Sequence, residues 1–116
     1  MPHTAAQRVV SPKAAAQRTP TVIAIERLAN LAGQGVAPHR LAGAAMDILA
    51  DWRSAGVAGD ELHVRTAALR ADIEASLHAA EEFVGEAQSE SARVAAAAQL
   101  EALVAVRKVL VAETDA

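Results

Sequence analysis

Glu74, His78 and Glu82 are the residues whose types and spacing come closest to doing chemistry in this chain. Intervals of four residues place all three on one face of an α-helix. A carboxylate–histidine metal centre in a helical bundle draws its ligands from several helices, commonly through a Glu-x-x-His spacing. That spacing does not occur, and His3, His39 and His63 are scattered along the sequence. The trio therefore reads as a solvated helix face laced with i, i+4 pairs, and neither a metal nor a cofactor is expected.

Nucleophilic catalysis has few parts to work with. The chain has no cysteine and no tyrosine, and Ser54, Ser76, Ser89 and Ser91 lack the glycine-flanked elbow that exposes a catalytic serine. Gly33-Gln34-Gly35 is a helix stop, since no strand precedes it as a phosphate-cradling loop requires. The expected protein is not an enzyme. Lack of cysteine also excludes disulfides and fits a cytoplasmic location.

Charge is divided unevenly. Residues 1–20 carry Arg8, Lys13 and Arg18 and no acid, whereas the remainder holds 8 basic and 14 acidic side chains within an overall charge of -3. Broad nucleic-acid binding by the body is disfavoured, because phosphate contacts need clustered Lys and Arg. The longest apolar candidate, Val94 to Val106, falls short of the ~18–20 residues of a membrane span and contains Gln99 and Glu101. No membrane association is expected. A secretory signal is not expected either, because no apolar core follows the N-terminal charges.

The elements that must position any site are helical. Alanine fills 31 of 116 positions, and it is both the best helix former and a small residue that lets helices approach closely. Residues 1–19 read as a flexible basic arm of Ser, Thr, Pro, Gln and Ala, with Ala5-Ala6-Gln7-Arg8 echoed at Ala15-Ala16-Gln17-Arg18. Such an arm suits docking on an acidic partner or on nucleic acid. Its acid-free composition is also that of an organellar transit peptide, though short and weakly amphipathic.

Residues 20–116 read as the helical domain. Thr19-Pro20 opens a helix to about Ala32 that buries Ile25, Leu28, Leu31 and Ala32. Pro38 opens a second, reaching Ala55, with Leu41, Ala45, Ile48, Trp52 and Ala55 inward. Asp60 is expected to cap a long third helix to Glu86. Its stripe is Leu62, Thr66, Leu69, Ile73, Leu77, Ala80 and Val84, with Phe83 at the edge. At nearly ~40 Å, this helix should be the pole on which the others pack. A break at Gly85–Ser91 leads to a fourth helix, about Ser91 to Ala112.

The fold class is thus all-α, an antiparallel bundle of about four helices with a basic N-terminal arm. The fourth helix is apolar over more than half its circumference, from Val94, Ala98, Ala102 and Leu103 to Val106, Val109 and Leu110. Leu100, Val104 and Val111 intrude on the remainder. These three, with Arg8, Lys13 and Arg18, are the expected partner-binding residues, because an uncovered apolar patch marks an association site. If instead this helix sits centrally, its whole arc is buried within one chain.

Two functions follow. The first is a non-enzymatic protein-binding module: an adaptor, assembly subunit or inhibitor, homo-oligomeric or docked on another protein. The second is a helix-turn-helix DNA-binding regulator, from the layout of residues 26–49. Its reading helix would offer His39, Arg40, Gly43, Ala44 and Asp47, a poor set for bases, and Asp47 and Asp51 would repel phosphates. Trp52 lies mid-chain as in the secreted Trp-x-Gly helical hairpins. Ser54 stands where their glycine would be, however, and no family is assigned.

Overall fold

Thr19 sets the first boundary of the fold. Its hydroxyl accepts a hydrogen bond from the Val22 amide at 3.2 Å, and Pro20 occupies the first helical position. The computed structural model describes residues 19–115. Arg8, Lys13 and Arg18, with the rest of the arm, lie outside the described residues. Four helices follow: α1 (Pro20–Gly33), α2 (Pro38–Ser54), α3 (Gly59–Glu86) and α4 (Glu90–Thr114). Among the described residues there is no strand, and the class is an all-α bundle.

Local chemistry explains the boundaries. Gly35 takes φ +75° after α1, the left-handed conformation that suits glycine in a helix stop. Pro38 begins α2. α3 begins at Gly59 behind Ala58, which offers no side-chain cap, so Asp60 is not the cap that its position suggested. Asp60 and Glu61 sit instead in the first turn, where the positive end of the helix favours them. Ala87 to Ser89 separate α3 from α4, and Ser89 caps α4 by accepting from the Ala92 amide at 3.1 Å.

α3 and α4 form an antiparallel hairpin. Arg70 of α3 donates to the Thr114 hydroxyl at the end of α4 at 2.8 Å, while Phe83 near the end of α3 shares clefts with Ala96 and Gln99 near the start of α4. α2 lies along the C-terminal half of α4, bringing Met46, Leu49 and Arg53 beside Val109, Ala112 and Glu113. α1 bridges the two ends of the molecule. Ile23 and Ala24 stand by Ile48 and Trp52, and Ala32 and Gly33 stand by Phe83 and Ala96.

The pole of the bundle is therefore α4, not α3. α4 packs extensively on both α3 and α2, whereas α2 and α3 scarcely meet. Length misleads here: α3 is the longest helix, but its stripe is one residue wide in most turns, whereas α4 has apolar surface enough for two neighbours. Leu69, Ile73 and Leu77 from α3 meet Ala102, Leu103, Val106 and Leu110 from α4 in one core with Leu28, Leu41, Ile48 and Trp52. Thr66 is fully buried and donates its hydroxyl to the Leu62 carbonyl at 2.7 Å, so its polar atom is satisfied.

Three inward assignments fail near helix ends. Ala55 is exposed just beyond α2, and Val57 takes the buried place, its amide donating to the Trp52 carbonyl at 2.9 Å. Val94 and Ala98 are exposed. Between Ser91 and Gln99 only Ala96 is buried. No helix among the described residues is long and apolar enough to cross a membrane.

Candidate functional site

The helix face that drew attention first is a solvated one. His78 Nε2 stands 3.4 Å from a Glu82 carboxylate oxygen, and Glu74 is 3.4 Å from Arg70 Nε. All but Arg70 in these pairs are widely exposed. No group of three or more acidic or histidine side chains among the described residues could hold a metal ion. In the α1–α2 hairpin, His39, Arg40 and Asp47 are exposed and Ala44 is buried, which withdraws one of the positions a groove-reading helix would offer. Leu100 and Val104 are half-buried and pack against the core, and Val111 is half-buried.

The distinctive surface lies at the α3–α4 turn end. Phe83, the only phenylalanine, is 54% exposed, one of six large apolar side chains left in water among the described residues and the only aromatic one. It stands between two clefts. One, of about 240 Å³, is lined by Ala32, Gly33, Gly35 and Val36 from α1 and the following turn, and by Ala95, Ala96, Ala98 and Gln99 from α4. The other, of about 300 Å³, is lined by Ser76, Ala79, Ala80, Ala96 and Gln99. Neither lining contains a charged residue, although 22% of the chain is charged. Three other clefts each carry charges: Arg27 and Asp51, Glu26 and Arg27, or Arg53 and Glu113.

Helix geometry explains why this end is bare. α4 needs two neighbours to cover its arc, and the clefts beside Ala95–Gln99 are lined by α3, the last turn of α1 and the turn that follows it, with no residue of α2. Alanines on both helices bring the backbones close but cannot fill the space beside a phenylalanine ring. Compared with known family models, curated proteins and solved structures, the chain matches none.

Charge frames the same surface. Residues 71–92 contain Asp72, Glu74, Glu81, Glu82, Glu86 and Glu90 and no Lys or Arg. Glu81, Glu82, Glu86 and Glu90 are all exposed. Glu82 and Glu86 are spaced i, i+4 in the last turns of α3, at the negative end of the helix, an arrangement that costs stability rather than adding it. The surface is an uncharged, aromatic-centred patch bordered by acids. The signal in the sequence is a lone phenylalanine inside a stretch without lysine or arginine; periodicity alone places Phe83 at the edge of a buried stripe and does not reveal it.

The opposite end is clasped. The Arg65 guanidinium lies over the Trp52 ring, 5.4 Å from its centroid, and pairs with Glu61 at 2.6 Å. Arg53 bonds Glu113 across α2 and α4; the hydrogen bond, aided by the carboxylate charge, holds the guanidinium even more firmly protonated than usual. These contacts tie helix ends together and use up their charges internally.

Proposed function

We propose that the chain is a non-enzymatic protein-binding module, a small cytoplasmic adaptor, assembly subunit or inhibitor, that engages its partner through the Phe83 surface. One observation carries the reading: an aromatic ring left half in water between two uncharged clefts. A buried aromatic anchor is the usual source of interface energy, and a rim of acids sets orientation and partner choice more than affinity. The complementary partner presents apolar side chains to the clefts and lysines or arginines to the rim. Leu100 and Val104 serve mainly the core in this reading, and a wider interface along α4 that includes Val111 is secondary.

The competing proposal, a DNA-binding regulator acting through α2 and the arm, is weaker because Ala44 is buried and Asp47 and Asp51 are exposed on the same helix. The two are separated by Phe83→Ser with Val64→Ser as control, since Val64 is a second exposed apolar residue of α3 away from the clefts. A protein co-purifying with the parent from the source cell should be lost with the first variant and kept with the second. Retention with both would remove Phe83 from the function. Duplex DNA binding in low salt that weakens steeply as salt rises would favour the regulator.

A further inference from the structure

We infer that the Phe83 surface receives a basic amphipathic helix, its apolar stripe seated in the two clefts and its lysines or arginines against the acidic rim. The inference rests on reading that surface as a docking site, and it fixes the form of the segment that fills it.

Hydrogen bonding argues for a helix. In the two linings only Ser76 and Gln99 have polar side chains; the rest are Ala, Gly, Val and Phe. Among the described residues there is no strand, so there is no sheet edge to pair with an extended peptide. An extended segment laid here would lose water from backbone N–H and C=O groups without gaining partners for them. A helix arrives with those groups already paired.

Shape sets the spacing. Both clefts border Phe83, Ala96 and Gln99, so they adjoin across the exposed ring. Ala79, Ala80, Ala95 and Ala98 add little bulk, which lets a second helix approach to an interaxial distance of about 8–10 Å. Side chains at i and i+4 of that helix are ~6 Å apart, and those at i and i+7 about 10 Å. An apolar stripe at i, i+4 and i+7 therefore straddles the ring and enters both clefts.

Charge sets the flanks. From Ala71 to Ala92 the chain has six acids and no Lys or Arg, and Arg93, just beyond, is held by Glu90 at 3.0 Å. Glu82 stands 3.4 Å from His78, and neither Glu81 nor Glu86 has an ion-pair partner among the described residues. Cations brought by the partner relieve the repulsion between Glu82 and Glu86 at the negative end of α3. A second copy is the poorer occupant, because two-fold pairing through this patch would set Glu82 and Glu86 against their equivalents.

The probe is a synthetic peptide of about 16 residues, roughly 24 Å as a helix, with leucines at helical spacing and lysines elsewhere. A comparator of the same composition alternates leucine and lysine, the pattern of a strand. Titrated into the full chain, the first peptide should gain helicity and shift the backbone amide signals of residues 32–36, 79–83 and 95–99. Phe83→Ser should weaken its binding about tenfold or more, as loss of an aromatic anchor does, and Val64→Ser should leave it unchanged. Glu82→Gln with Glu86→Gln should weaken it in low salt and flatten its salt dependence. The strand-patterned comparator should bind about tenfold more weakly or not at all. Equal binding of the two peptides, or equal binding to the Phe83→Ser variant, would overturn the inference. Pairing of the chain with itself that Phe83→Ser abolishes would also overturn it, in favour of a second copy. If neither peptide binds, the helix falls, while the docking reading is decided separately by whether Phe83→Ser loses the co-purifying protein.

Discussion

Arg65→Ala should loosen the Trp52 end of the bundle by about 1–2 kcal/mol. The guanidinium is 5.4 Å from the indole centroid, inside the ~6 Å range of a cation–π contact. Trp52 is 8% exposed and the Arg65 side chain 21%, so the pair is partly desolvated and lies toward the upper part of the ~0.5–2 kcal/mol range. The aliphatic stem covers further apolar surface, which alanine would uncover. The Glu61 pair contributes little, about 0.3–0.5 kcal/mol, because its carboxylate is 61% exposed. In a domain of this size ~1 kcal/mol corresponds to roughly 4–8 °C in Tm, so Arg65→Ala should lower Tm by about 4–16 °C. Glu61→Ala should lower it by less than about 4 °C on the same scale. Trp52 is the only tryptophan, so a red shift of its emission should accompany the Arg65 change alone. A melting temperature unmoved by Arg65→Ala, or an equal loss from Glu61→Ala, would show that the ring is not the anchor.

Three further outcomes follow from burial. Leu110→Ala, at a fully buried position of α4, should cost about 2–5 kcal/mol in urea unfolding, and Val111→Ala, half-buried next door, clearly less. Val104→Glu should unfold the chain by forcing a charge against the core, read by circular dichroism; a folded variant that had lost only its partner would restore α4 as the interface. Gly85→Ala should stabilise α3 by about 0.5–1 kcal/mol in a thermal melt, because the position is helical with open space around it, whereas Gly56→Ala at φ +93° should destabilise.

The helices were legible because their signals are local. Thr19-Pro20, Pro38 and the Gly85–Ser91 break mark boundaries that depend on a few adjacent residues, and the observed ends fall within about two residues of them. The inward stripe of α3 was equally plain from Leu69, Ile73 and Leu77. Arrangement was harder. Periodicity says which face is buried but not by how many neighbours, so length alone points to α3 as the pole that α4 provides. Phe83 and Val94 fit apolar stripes because they are apolar at the right interval. Their exposure depends on which helices cover them, a fact about tertiary packing that no interval encodes. The Arg65–Trp52 clasp was invisible for the same reason: its partners lie on different helices.

The central claim is that Phe83 is an anchor for another protein, and photo-cross-linking tests it most directly. A photoreactive phenylalanine analogue placed at position 83 in the full chain, within the source cell, should capture one discrete protein on irradiation. The same analogue at position 64, where an exposed apolar residue lies away from the clefts, should not. Equal capture at both positions, or none at 83, would contradict the account.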